Sequence, residues 1–184
     1  ASSAHSMNPT LFLALPARNL AQAQQLDLDT VAIPCAACFS RLAAADLALQ
    51  EDAEFRARME QALDFQYQNR VRPRNLLDIL ANDFSQQALT QPLKRPLEGL
   101  KVVSYYGCLL VRPPQYTQLW DDPEHPTTMD HLLSLMGAEP EPWSYGVDCC
   151  GGSLTLNRSD VVVHLVDQLA RGAHDAGADA FVTA

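Results

Sequence analysis

The sequence predicts an α/β fold of two related small domains, each a short parallel sheet flanked by helices. Three observations lead there. Strand-like and helix-like stretches alternate along the chain, the pattern of parallel strands joined by helical crossovers. The cysteines Cys35, Cys38, Cys108, Cys149 and Cys150 fall at strand ends or turns, none in a helix interior, and open α/β sheets hold ligands at the carboxyl ends of their strands. Finally, the two ends of the chain match in kind at an offset of 150 residues, Asp29-Thr-Val-Ala-Ile-Pro34 lying on Asp179-Ala-Phe-Val-Thr-Ala184.

The elements follow in order. Asn8-Pro9 opens a helix, a capping side chain followed by proline at the first helical position. That helix runs through Leu11, Leu15 and Leu20 to about Gln25, with Pro16 as an expected kink. Asp29 to Ile33 is a short strand, ended by Pro34 directly before Cys35. An alanine-rich helix is expected from Phe39 to Gln50 and a second from Ala53 to Gln66. Arg72-Pro73-Arg74 breaks the pattern. A helix over 75–82 then presents Leu76, Leu77, Ile79 and Leu80 as core or subunit contact.

Gln86 to Gly99, with Pro92 and Pro96, reads as a linker and divides the chain into domains 1–95 and 96–184. Lys101 to Tyr106 is a strand leading to Gly107-Cys108. Arg112-Pro113-Pro114 and Asp121-Asp122-Pro123-Glu124-His125-Pro126 form an irregular crossing. Thr127 or Thr128 caps a helix that reaches Met136 and stops at Gly137. Cys149-Cys150 follow a short extended piece. Ser159 caps an amphipathic helix carrying Val162, Leu165, Val166 and Leu169, closed by Gly177, and Ala180 to Thr183 is the last strand.

A formal net charge of −9 argues against nucleic acid, which needs a basic face. The longest apolar run, 11–17, is interrupted by Pro16 and is too short to span a bilayer. No basic segment precedes an apolar one at the start, so the reading is a cytoplasmic chain without a membrane span. Five cysteines, an odd number, suit a disulfide framework poorly, and in a reducing compartment a CxxC reads as metal-binding or redox. Gly151-Gly152 follows cysteines and is no dinucleotide fingerprint.

The chemistry therefore centres on Cys149-Cys150-Gly151-Gly152 and on Cys35-Ala36-Ala37-Cys38. Adjacent thiolates can both ligate one metal centre, and glycine lets the backbone pass close to bulky inorganic sulfide. Three other readings stay open. The cysteines can be small buried apolar residues. Cys35 and Cys38 can form a thioredoxin-like dithiol. Zinc can be held by Cys35, Cys38 and two of the other three. Histidines 5, 125, 131, 164 and 174 have no metal-ligand spacing, and His164 reads as packed or surface. The run 121–124 is a cation site or, more simply, a solvated turn. Arg18, Arg41 and Arg112 meet an anion or lie on the surface.

Each copy of the repeat is a turn, a helix and a strand. By its logic a cysteine should follow Ala184, as Cys35 follows the first strand, and a Cys-Cys pair should precede Ala1. The expectation is a chain lacking cysteine-bearing segments at both ends.

These motifs resemble a known family. Gly107-Cys108, Cys149-Cys150-Gly151 and Cys35-x-x-Cys38 form the pattern of the cysteine-rich "CCG" domain, and the sequence resembles the B-subunit family of heterodisulfide reductase and its bacterial relatives. Supporting stretches are Leu97-Glu-Gly-Leu-Lys-Val-Val-Ser-Tyr-Tyr-Gly-Cys108, Arg112-Pro113, Asp121-Asp122-Pro123-Glu124, Leu135-Met-Gly-Ala-Glu139 and Gly177-Ala-Asp-Ala-Phe-Val-Thr-Ala184.

The resemblance implies two CCG domains, the first present in its C-terminal part and the second lacking its terminal CxxC. Each would hold a noncubane 4Fe–4S cluster through a cysteine after the first strand, the adjacent pair and a terminal CxxC. Cys35 and Cys38 would serve the first cluster, and Cys108, Cys149 and Cys150 the second. The implied activity is an oxidoreductase acting on sulfur groups, reducing or forming a disulfide between the two clusters. The implied partners are an iron–sulfur protein and a flavin protein, resembling the C-type and A-type subunits of the same complex. Methanogen-type members carry histidines beside the cysteine at position 108, where this sequence has Tyr105 and Leu109, so substrate identity does not transfer. Iron–sulfur electron-transfer subunits of glycolate or lactate oxidase type share the domain and are the alternative. A zinc-stabilised interaction module is the non-enzymatic one.

Overall fold

The computed structural model describes residues 8–117 and 121–184. The chain forms two compact units, Ala1–Leu76 and Leu77–Ala184. The division precedes the proline-containing stretch 86–99, so the short helices ahead of Lys101 go with the second unit.

In the first unit, α1 (Pro9–Gln25) starts as expected: the Asn8 side chain accepts from the Leu11 amide at 2.9 Å, and Pro9 follows it. Pro16 lies inside this helix and is buried. β1 (Thr30–Ile33) leads to α2 (Ala36–Glu51), which begins three residues earlier than the sequence pattern indicates, so Cys38 lies in its first turn rather than before it. α3 (Ala53–Leu63) ends where Asp64 turns left-handed at φ 51°, short of the expected Gln66.

β2 (Arg72–Asn75) corrects the reading of Arg72-Pro73-Arg74 as a break: it pairs in parallel with β1, from Thr30 opposite Arg72 to Ile33 opposite Asn75. Proline lacks the ladder donor, but a two-stranded ribbon has an open edge on each strand where that loss is harmless. Asn75 then seals the end of the pair. It is 1% exposed and its side-chain amide donates to the Ile33 carbonyl at 3.2 Å.

The core of this unit is helical. Ala17, Leu20 and Ala21 of α1 and Leu42, Ala43, Ala45 and Leu49 of α2 are all buried, and the two helices pack on one another. Small residues let the two helices approach closely. Phe55 and Met59 of α3 close the cluster. One charged group is buried among them: the Asp46 carboxylate accepts from Tyr67 at 2.8 Å and Gln50 at 2.9 Å.

The second unit opens with α4 (Leu76–Asn82), which buries none of its residues, so its leucines are not core. α5 (Gln86–Thr90) lies within the expected linker. The sheet is three parallel strands in which β3 (Lys101–Tyr105) is central, flanked by β4 (Glu139–Pro140) on one side and β5 (Ala180–Thr183) on the other. Val102, Val103 and Ser104 of β3 are all buried, as a central parallel strand covered on both faces requires. Between the strands run α6 (Gly107–Val111), α7 (Pro114–Thr117), α8 (Thr128–Leu135) and α9 (Ser159–Asp175).

Two capping expectations are corrected. Neither Thr127 nor Thr128 caps α8 with its own side chain; the Asp121 carboxylate accepts from the Thr127 and Thr128 amides at 3.0 and 2.8 Å. Ser159 is the first residue of α9, and Arg158 in the cap position makes no side-chain cap bond. Among the described residues no helix is long and apolar enough to cross a membrane.

Two outcomes test this packing. Leu49 is 0% exposed, and Leu49→Ala is expected to cost roughly 2–5 kcal/mol, read as a lower urea midpoint at unchanged slope. Burial, opposed by the hydrogen bonds from Tyr67 and Gln50, holds the Asp46 carboxyl above its usual range. A raised folded pKa means the folded state keeps the proton more tightly, so this contribution is full at low pH and is lost as pH rises through the raised value. Asp46→Asn should therefore flatten the pH–stability profile above about pH 4; a slope matching the wild type there would show that this carboxyl does not shape the profile.

Candidate functional site

Sequence places the cysteines at strand ends, and the fold explains why they can meet there. A parallel strand must turn away at its carboxyl end, and its last amides need partners other than a neighbouring strand. At the end of β3 the Tyr106 and Gly107 amides both donate to the Gly146 carbonyl, at 2.8 and 3.1 Å. That pins the loop leading to Cys149 onto the start of α6, where Cys108 lies.

The three thiols of the second unit are consequently neighbours. Burial first, then the Cys149 thiol through its charge and a hydrogen bond, then the Cys150 charge, raise the Cys108 pKa above its usual value. The Gly151 amide donates to the Cys149 sulfur at 3.3 Å. Gly151 has φ 73°, a conformation glycine adopts freely. A Cβ there would also lie 2.9 Å from Leu165 Cδ1 on α9. So the left-handed turn demands glycine after the cysteine pair, and a side chain there would also have to displace the tip of Leu165.

Tyr105 completes the cluster. Its hydroxyl donates to the Asp148 carbonyl at 2.7 Å. Burial first, then Cys150 and the charges of Cys108 and Cys149, push its pKa well above the ordinary tyrosine value. Tyr106, the next residue, lies elsewhere: its hydroxyl accepts from the Met129 amide at 2.7 Å. Of the two tyrosines that sequence places near Cys108, only the first reaches the thiols. Trp143, which no motif signalled, donates to the Ser104 carbonyl at 2.9 Å and packs edge-on against Tyr105 and Phe181, with centroids 6.2 and 5.4 Å apart.

Cys35 and Cys38 belong to the first unit and are both exposed. Cys35 occupies the cap position of α2. The Cys38 amide, aided by the Cys38 thiol and the Ala37 amide against some burial, lowers the Cys35 pKa. The Cys38 pKa is raised, first by its hydrogen bond with Cys35 and then by burial. The two sulfurs therefore form one interacting pair at a helix start, where the dipole favours a thiolate.

Other candidates resolve into structural roles. Asp121 caps α8 and Asp122 accepts from the Glu124 and His125 amides at 2.8 and 2.9 Å, so this acidic run holds its own turn. Arg112 pairs with Glu124 at 2.6 Å, and Arg41 lies 4.5 Å over the Phe12 ring. Arg18 and His164 are exposed, and His5 lies outside the described residues. Among the described residues no group of three or more His, Cys, Asp or Glu side chains is set out to enclose one metal ion.

Residues 102–184, which include the thiol trio and the three-stranded sheet, match the cysteine-rich (CCG) domain family. The second unit therefore carries a cysteine-rich CCG domain over these residues. It is 27% identical to the B subunit of ferredoxin:CoB-CoM heterodisulfide reductase from Methanosarcina mazei, over 97% of this chain and 60% of that protein. It is 31% identical to the 8-methylmenaquinol:fumarate reductase membrane anchor subunit of Wolinella succinogenes, over 82% of this chain and 52% of that protein. A protein of Archaeoglobus profundus, named as like the B subunit of heterodisulfide reductase, is 25% identical over 92% of this chain and 58% of its own length. The chain thus spans between half and two thirds of these relatives, each named as a reductase subunit or as resembling one.

The turn yields one prediction. Gly151→Ala forces a Cβ into a left-handed residue and against Leu165, and is expected to cost roughly 1–3 kcal/mol in urea unfolding; wild-type stability would show that the loop repacks without strain.

Proposed function

We propose that this chain is the iron–sulfur catalytic part of a heterodisulfide reductase-like complex, reducing or forming a disulfide with two noncubane 4Fe–4S clusters in the intact protein. What supports the reading is that the Cys108 thiol, at the carboxyl end of the central strand, interacts with the Cys149 thiol from a separate segment and feels the charge of Cys150, all within a CCG domain. Thiolates are the softest side-chain donors and select iron–sulfur groups, zinc or copper(I). A lone zinc ion needs four donors around one centre. No three of the described His, Cys, Asp or Glu side chains gather around one ion, an arrangement that suits a group spreading its thiolates over several iron atoms.

The residues divide the work accordingly. Cys108, Cys149 and Cys150 hold the second group, and Cys35 and Cys38 contribute to the first. When bound, such clusters supply electrons and iron sites that accept sulfur. Gly151 lets the backbone turn tightly beside the cysteine pair, and Tyr105, braced by Trp143, lies next to Cys150. Breaking a disulfide takes two electrons and two protons and yields two thiols. The electrons come from an iron–sulfur partner fed by a flavin protein, since the residues of this chain form no dinucleotide fingerprint.

The similarity to a fumarate reductase subunit supports a second reading, in which the same thiols serve an iron–sulfur electron-transfer subunit of a complex whose substrate is reduced elsewhere.

Anaerobically purified protein should contain iron and inorganic sulfide and absorb broadly near 400 nm. Cys149→Ser and Cys150→Ser should each lose the second cluster, whereas His164→Gln should keep it. Full iron content in both cysteine variants would remove these residues from the ligand set. Zinc in place of iron would favour a structural module, and iron without disulfide reduction would favour the second reading.

A further inference from the structure

Tyr105 ends β3, three positions before Cys108, and its hydroxyl donates to the carbonyl of Asp148, the residue directly before Cys149. One side chain thus bridges the two segments that bear the thiols. Its ring is held in place. It lies across Gly107, where a Cβ would stand 3.3 Å from the hydroxyl oxygen and 3.4 Å from the ring. Gly107 has φ 64°, so the residue that makes room for the ring is also the one that turns the chain. Trp143 meets the ring edge-on, itself anchored to the Ser104 carbonyl.

We propose that Tyr105 is a positioning residue for the thiol trio, its bond to the Asp148 carbonyl setting where Cys149 and Cys150 stand relative to Cys108. The bond is a property of the folded chain and needs no cluster. Its effect on a bound cluster rests on the function proposed above. The hydroxyl lies beside Cys150 as well as Asp148. A sulfur made anionic by metal binding is a stronger acceptor than a neutral carbonyl and would draw that proton. A hydrogen bond to a ligating sulfur withdraws electron density from it and raises a cluster's reduction potential.

The test compares Tyr105→Phe and Tyr106→Phe with wild type in a background carrying Cys35→Ser and Cys38→Ser. The probe is arsenite, which condenses with neighbouring thiols: As(OH)3 forms one arsenic–sulfur bond and releases one water for each thiol it takes. In metal-free protein Tyr105→Phe should weaken arsenite binding about fivefold, the loss of one orienting hydrogen bond. Tyr106→Phe removes the acceptor of the Met129 amide; it should lower stability and leave arsenite affinity alone. In anaerobically loaded wild-type background, Tyr105→Phe should keep its iron and show a more negative midpoint potential.

Equal arsenite affinity in Tyr105→Phe and its parent would overturn the proposal, as would equal weakening in both tyrosine variants. A protein that takes no iron but still shows the arsenite difference would sink the iron–sulfur reading and leave the role of Tyr105 standing. An unchanged potential with iron bound would overturn the cluster-tuning half.

Discussion

Two amides directed at one carbonyl hold the second unit's site together. Tyr106 and Gly107 leave the sheet with no strand beside them, and both donate to Gly146. Tyr106 is 3% exposed, and an amide left unpaired in such a place costs on the order of 1–3 kcal/mol. Satisfying the backbone therefore fixes the loop 143–150 against the end of β3. The thiols are brought together by a requirement that has nothing to do with sulfur. Trp143, Gly146 and Asp148 all lie in that loop, and each adds hydrogen bonds or ring contacts to the same strand end.

The first unit meets a different constraint. Its sheet has only two strands, too few to carry a core, and stability must come from helices packed on one another. The alanines of α1 and α2 answer this by close approach. Asp46 is the exception among them, a carboxylate inside an apolar layer, retained because Tyr67 and Gln50 occupy both of its oxygens. The hydrogen bonds satisfy the group without abolishing the cost of its charge, so its pKa remains raised.

The relatives are named for a disulfide reductase and for a fumarate reductase. Subunits of such different enzymes share sequence with this chain, in keeping with the rule that function resides in sites added to folds.

Much of the architecture was legible in the chain. The α1 cap at Asn8-Pro9, the strands at Thr30 and Lys101, the amphipathic α9 and the stop at Gly137 are local signals, written in neighbouring residues and readable without a partner. The cysteine spacing was equally local. What failed was nonlocal. Arg72-Pro73-Arg74 is a strand only because β1 lies beside it, and α8 is capped by Asp121 rather than by an adjacent threonine. Tyr105 and Tyr106 look alike in sequence, yet the strand end sends one hydroxyl to the thiols and the other to Met129. The sequence by itself determined the alternation of parallel strands and helices and placed the cysteines of both units near strand ends. Tertiary structure alone decided which side chains surround those thiols, because unpaired backbone amides and buried rings find their partners only across distant segments of the folded chain.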